Sequence, residues 1–299
     1  MNRMLFSPYL LLVLTTLFWA GNSVLGRLVR VDVPPVGLSF WRWALAGLLL
    51  FPFVWKEMLR CWPLVRRHLA SVLTLSVLGV TNFNTMLYLG LQTTTASNSV
   101  LLLSVTPLVI LFFSWTLLAI PATKLQLLGI LVSLAGVIMI ISKGELVSVS
   151  GFSVVVGDLW ILGSVASWGL YSVLLRKRPA GLDGLPLLGY TILFGLFGIL
   201  PFYLWETLGG RPMSINGLTF MSVAYVAIFA SLLAYMFWNH AVTQIGANRA
   251  GLFIHLIPLF GSLLSVLILG ERLHSYHLKG ILLIATGIVL AAVRRSSST

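Results

Sequence analysis

Ten stretches of mostly apolar residues follow one another along this chain with only short polar breaks, and no other feature limits its fold so strongly. A helix needs roughly 20 such residues to cross the hydrocarbon of a bilayer. The expected spans run near Pro8 to Val29, Pro35 to Trp55, His68 to Gly90, Ala96 to Ala119 and Lys124 to Ile141, then near Val155 to Leu175, Leu185 to Trp205, Gly217 to His240, Ala247 to Leu269 and His277 to Val293. With 59% hydrophobic and 9% charged residues and a mean hydropathy of +1.02, polar side chains are too few to cover a soluble globule. Lipid must cover the rest, so the reading is an all-α membrane protein of ten transmembrane helices. Arg3 precedes the first run, as in a secretory signal. That run is longer than a signal core, lacks a small-x-small cleavage site and is followed by nine more, so it is expected to be retained.

The formal charge of +12 raises the question of a nucleic-acid partner, but the cations are spread over loops rather than clustered in a soluble domain, and none is expected. Their distribution instead orients the chain. With the N-terminus in the cytoplasm, the inner side collects Arg3, Lys56, Arg60, Arg66, Arg67, Lys124, Arg176, Lys177, Arg178, Arg249, Arg294 and Arg295. The outer side keeps Arg27, Arg30, Lys143, Arg211, Arg272 and Lys279. Basic loops favour the cytoplasm, so both termini are placed inside. Cys61 is the sole cysteine and is assigned to an inner loop; an intrachain disulfide is impossible.

The chain also repeats itself. Laying Pro107 over Pro258 brings Ala96 onto Ala247, Leu108 onto Leu259, Ser114 onto Ser265, Gly129 onto Gly280 and Gly136 onto Gly287 without a gap. Near the start of each half, Trp19 falls on Trp168, Ser23 on Ser172, Val24 on Val173 and Arg27 on Arg176, in a register only two residues different. The units are taken as 1–145 and 146–299, five spans each. Five is odd, so the second copy must enter the membrane from the opposite side. Inverted repeats of this kind underlie many secondary transporters, whose midplane site opens to either side alternately. A duplicated scaffold without transport is the plainer alternative.

The repeat serves as a filter for residues that face the bundle interior. Trp19, Asn22 and Ser23 share one helical face, and Trp168, Tyr171 and Ser172 repeat it. In the third and eighth spans Asn84 falls on Tyr235 and Tyr88 on Asn239, the two residue types having traded places. In the fourth and ninth, Ser104 falls on His255. Amides and indoles turned to lipid would leave donors unpaired, so these faces are expected to point inward, as interhelical hydrogen bonds or as the lining of a shared central cavity. Arg42 lies within the second span, where a cation costs on the order of 3 kcal/mol on insertion scales. Its neighbours one turn away carry no counter-charge, so it needs a partner on another helix, either carbonyls to hold together or a substrate carboxylate.

Other polar residues read more plainly. Asp158 suits a helix N-terminus as a cap. Glu271, His274 and His277 have the spacing of metal ligands but sit in an outer loop after Gly270, where a solvated turn is the simpler reading, and no metal or cofactor is expected. Intramembrane hydrolysis would require paired acids, a serine with a base or a metal cluster. No span offers these, and no enzymatic activity is expected.

These motifs resemble the drug/metabolite transporter superfamily, in particular ten-helix exporters with two EamA-type domains. The resemblance rests most on Pro258, the Gly270–Glu271 pair, Gly280 and Gly287, with Pro35 and Trp41–Arg42 similar to the family's second-helix start and arginine. The first copy departs from the pattern, with Ile120 and Pro121 where a glutamate often follows the fourth helix. The resemblance implies a small-molecule exporter with a central cavity in a prokaryotic inner membrane, and the richness in aromatic residues looks most like the branch exporting amino acids, aromatic ones included. His240, His255 and Arg42 are the only ionisable groups well within spans, which predicts facilitated movement with little dependence on a proton gradient. A channel, or a carrier of drugs, lipids or quaternary amines on the same fold, are the rival functions.

Overall fold

The computed structural model describes residues 7–29, 33–94, 96–142, 155–269 and 274–292. Arg3, Arg30, Lys143, Gly270, Glu271, Arg272, Arg294, Arg295 and the junction at 145/146 lie outside the described residues. Among those described there is no strand. The helices are α1 (Pro8–Leu28), α2 (Pro35–Arg67), α3 (Leu69–Ser76), α4 (Phe83–Thr93), α5 (Ala96–Leu103), α6 (Thr106–Leu118), α7 (Lys124–Ile141), α8 (Val156–Leu174), α9 (Gly184–Leu208), α10 (Gly217–Tyr225), α11 (Ala234–Ile245), α12 (Ala247–Leu252), α13 (Leu256–Leu269) and α14 (Ser275–Ala292). Eight segments among the described residues are long and apolar enough to cross a membrane, beginning with Pro35–Arg67 and ending with Ala247–Leu264, so this is a multi-pass integral membrane protein. Its exterior is apolar to match, with Phe53, Trp205, Ile215, Phe220 and Met221 strongly exposed while Arg42, Asn84 and His255 are buried.

Four expected spans are each divided in two, at positions that the 151-residue register superposes. A π-helical turn, Val77–Asn82, joins α3 to α4, and a second, Val226–Leu233, joins α10 to α11. Such wide turns inside helices recur at functional sites. The other two breaks precede prolines. Pro107 cannot donate to the turn before it, and the Leu108 N–H bonds Val105 O at 3.0 Å, which leaves Ser104 O to another partner. In the second half a 3₁₀ turn, Phe253–His255, separates α12 from α13 just before Pro258.

The second span is longer than the apolar pattern suggested. α2 continues through Pro52 and Pro63 to Arg67, so Lys56, Arg60 and Cys61 sit on a helix rather than in a loop. Its extension is amphipathic: Met58 and Val65 are buried while Lys56, Glu57 and Arg60 are exposed. Main-chain hydrogen bonding on this polar stretch continues where hydropathy ends.

Helix ends are secured by carboxylates. Asp158 Oδ2 accepts the Val155 N–H at 3.0 Å, the expected cap, and Oδ1 also takes the hydroxyl of Thr94 at the end of α4. Glu206 near the end of α9 performs a similar service across space. Its Oε2 accepts the Gly37 N–H at 2.7 Å and its Oε1 the Val36 N–H at 3.4 Å, at the first turn of α2.

Helix α7 packs along α14 with two glycine contacts. A Cβ on Gly129 would lie 2.4 Å from Gly287 O, and one on Gly136 would lie 2.6 Å from Gly280 O. Since 129 meets 287 and 136 meets 280, the two helices run antiparallel, and only glycine allows backbones so near.

Candidate functional site

The largest fully buried side chains converge at the centre of the bundle: Trp43, Trp168, Trp238, Arg42, Tyr171 and Tyr235. Trp168 of α8 is the hub of the aromatic part. Its ring centroid lies 5.1 Å from Trp19, 5.4 Å from Trp238, 4.6 Å from Phe83, 5.1 Å from Tyr171 and 5.1 Å from Tyr235. Trp19 also meets Trp238 at 5.3 Å, and Trp43 stands edge-on to Tyr235 at 4.8 Å. Offset and edge-to-face pairs of this kind add roughly 0.5–1.5 kcal/mol each beyond burial.

Arg42 organises the polar part. Fully buried, it donates from Nε to Ser231 Oγ at 2.8 Å, from Nη1 to Asn84 Oδ1 at 2.8 Å and Tyr88 OH at 2.6 Å, and from Nη2 to Ala230 O at 3.1 Å. The guanidinium thus ties α2 to α4 and to the π turn before α11. Two chains of donors leave it. Asn84 Nδ2 donates to Tyr235 OH at 3.0 Å, which donates to Gly79 O at 2.6 Å, and Tyr88 OH donates to Asn22 Oδ1 at 2.9 Å. Ala230 O also accepts Trp19 Nε1 at 3.2 Å. Gly79 and Ala230 are register equivalents, so both π turns offer the same carbonyl to a side chain from another helix.

Residues superposed by the register frequently touch one another. Asn84 bonds Tyr235, its own equivalent, and His255 Nε2 lies 2.8 Å from Ser104 O, another equivalent pair. A carbonyl only accepts, so Nε2 carries the proton, while Nδ1 faces Ser133 Oγ at 2.5 Å. The traded positions make the same bond twice: Tyr88 to Asn22 in one half, Tyr171 OH to Asn239 Oδ1 at 2.9 Å in the other.

Of the residues singled out from sequence, Trp19, Asn22, Arg42, Asn84, Tyr88, Trp168, Tyr171, Ser172, Tyr235 and Asn239 meet in this cluster. Ser104 and His255 form a separate clamp between the two helix breaks and α7. Ser23 and Ser172, superposed by the register, do not bond each other. Ser23 Oγ donates to Trp19 O on its own helix, and Ser172 Oγ accepts Trp238 Nε1 at 3.2 Å. His240 is exposed on α11, outside the cluster. Among the described residues no group of three or more metal-ligating side chains occurs, and His274 and His277 join through the His274 N–H and His277 Nδ1 at 3.1 Å.

Sequence reasoning missed Trp43, Phe83, Ser231, Trp238 and Glu206. Trp238 and Ser231 stand three after and four before Tyr235, a spacing that could have found them, although the π turn rotates the face between them. Trp43 adjoins Arg42.

A family model described as the EamA-like transporter family matches twice, over residues 6–142 and 155–293. The uncharacterized transporter YyaM of Bacillus subtilis is 27% identical over 95% of this chain and 93% of its own. An uncharacterized transporter of Archaeoglobus fulgidus is 30% identical over 96% of this chain and 98% of its own. A crystal structure of a protein 19% identical superposes with a TM-score of 0.76 over 96% of each chain, a likeness of fold.

Proposed function

The chain belongs to the EamA-like transporter family, and we propose on that footing that it exports small metabolites, specifically amino acids including aromatic ones, by alternating access. The buried cluster of indoles, phenols and amides at the meeting of the two halves carries this reading. Its chemistry suits a zwitterion with an apolar side chain.

The same proposal extends to topology. Ten spans, α1 and α14 among them, form two inverted units, 1–145 and 146–299, with both termini in the cytoplasm. Support comes from the two family matches, from the antiparallel run of the equivalent helices α7 and α14, and from divided helices at equivalent places. The relatives are bacterial and archaeal, and one from Salmonella typhimurium is described as an inner membrane transporter, which favours a prokaryotic inner membrane. Two near-equivalent bonds, Tyr88–Asn22 and Tyr171–Asn239, suit a machine in which either half closes while the other opens.

Counterflow with purified protein in liposomes tests the function. Preloaded unlabelled Phe, Trp, Met or Thr should accelerate uptake of the labelled amino acid, and a channel would show no such acceleration. Failure to exchange any of the four would refute the amino acid assignment.

A further inference from the structure

We propose that the carboxylate of the substrate is its recognised group, that Arg42 receives it, and that the indole N–H groups of Trp43 and Trp168 are companion donors. This rests on the transport reading above and specifies the chemistry of its central site.

Arg42 is wholly buried, yet its four hydrogen bonds go to two hydroxyls, an amide oxygen and a main-chain carbonyl. The four carboxylates among the described residues do not compensate it. Asp158 and Glu206 hold helix ends, Asp183 pairs with Arg178, and Glu57 is exposed. Its guanidinium also lies over the Trp43 and Tyr88 rings, 5.4 and 5.8 Å from their centroids, so every partner it has is neutral, and the low dielectric around it strengthens the attraction it keeps for an anion.

Donors in this cluster are also left unused. A guanidinium has five N–H groups, and Arg42 spends four. Nearby, Trp43 Nε1 and Trp168 Nε1 are buried with no hydrogen-bond partner. Buried donors are almost always paired, so two unpaired indoles in one cluster are an unmet demand for acceptors. Both rings stand against Tyr235, at 4.8 and 5.1 Å, and Tyr235 is bonded to Asn84, itself a partner of Arg42. A carboxylate beside Tyr235 would supply the missing charge and acceptor oxygens together. An ammonium there would meet a like charge and, among the described residues, no carboxylate. The site therefore takes organic carboxylates, with or without an amino group, and rejects amines of the same shape.

Wild-type protein in liposomes separates these properties without mutation. Exchange of labelled Phe is challenged with 3-phenylpropionate, which lacks the ammonium, and with 2-phenylethylamine, which lacks the carboxylate. The carboxylate should inhibit at a concentration at least about ten-fold lower. Equal potency, a stronger amine, or no inhibition by either while Phe exchanges would overturn the inference and leave the transport reading intact. If Phe does not exchange while another of the four does, that amino acid and its deaminated and decarboxylated analogues take the place of Phe; if none of the four exchanges, that reading fails and the same two compounds are compared by thermal unfolding in detergent. A rise in midpoint with 3-phenylpropionate alone then sustains carboxylate recognition, and any other result overturns it. Arg42→Lys should keep the preference and a folded Arg42→Gln should lose it. A folded Arg42→Gln that keeps it overturns the assignment to Arg42.

Discussion

Replacing Gly129 by Ala places a methyl carbon 2.4 Å from Gly287 O, 2.8 Å from Ala291 Cβ and 3.0 Å from the Ala291 amide nitrogen. Ordinary contact begins near 3.4 Å, so α7 and α14 must part locally by about 1 Å, and backbone cannot step aside as a flexible side chain would. A gap of that size forfeits a quarter to a half of the dispersion between the atoms it separates, and overpacking of this kind typically costs about 1–3 kcal/mol. Alanine also raises helix propensity by about 1 kcal/mol over glycine, which would mask part of the loss. Gly261→Ala supplies the control, since it lies inside α13 and a Cβ there meets nothing within 4 Å. Both variants gain the same propensity, so their difference isolates the interface. Thermal unfolding in detergent, followed by the loss of the monodisperse peak, should place Gly129→Ala below Gly261→Ala by the equivalent of about 1–3 kcal/mol. Gly280→Ala, the register equivalent, should fall with it, because its Cβ would meet Ile140 at 2.4 Å and Gly136 O at 2.8 Å. Equal stability of Gly129→Ala and Gly261→Ala would refute the close-packed antiparallel interface.

Tyr235→Phe keeps the ring but removes the donor to Gly79 O and the acceptor for Asn84 Nδ2, so it should destabilise by about 1–3 kcal/mol in the same assay. Tyr203→Phe, whose hydroxyl meets Trp41 at the exposed face, should change little by comparison. Glu206→Ala strips the first turn of α2 of its acceptor and should cost about 1 kcal/mol, with faster hydrogen exchange at Val36 and Gly37. Glu206→Gln, which keeps a neutral acceptor, should recover part of the protection.

Much of this arrangement is legible in the residues alone, because two periodicities survive without knowledge of the fold. Apolar length marks the spans, and the repeat selects Trp19, Trp168, Asn84, Tyr235, Ser104 and His255 as residues related to one another. Three of those relations are direct contacts, Trp19 with Trp168, Asn84 with Tyr235 and Ser104 with His255. In the proposed inverted arrangement, residues related by its two-fold axis would meet when they lie near it, and their spacing in the chain would record that. The need of Arg42 for a partner beyond its own helix follows from the cost of a bare cation in hydrocarbon.

Which partner it takes does not follow. Ser231 and the carbonyl of Ala230 reach Arg42 because the Val226–Leu233 turn is π-helical, and a widened turn shifts the face of every residue after it. Helical-wheel counting assumes 3.6 residues per turn, so it relates Trp238 to Tyr235 within α11 but misplaces Ser231, which lies in the widened turn before them. Glu206 shows the same limit at a helix end. One glutamate among apolar neighbours reads as a span terminus, and only the approach of α9 to α2 makes it the acceptor for Val36 and Gly37. Local chemistry and period determined that this chain is a doubled bundle in lipid with a polar, aromatic interior. Tertiary packing decided that those interior groups bond to one another, with Arg42 among neutral partners and two indoles left unpaired, because hydrogen bonds across helices depend on rotations and offsets that no linear period encodes.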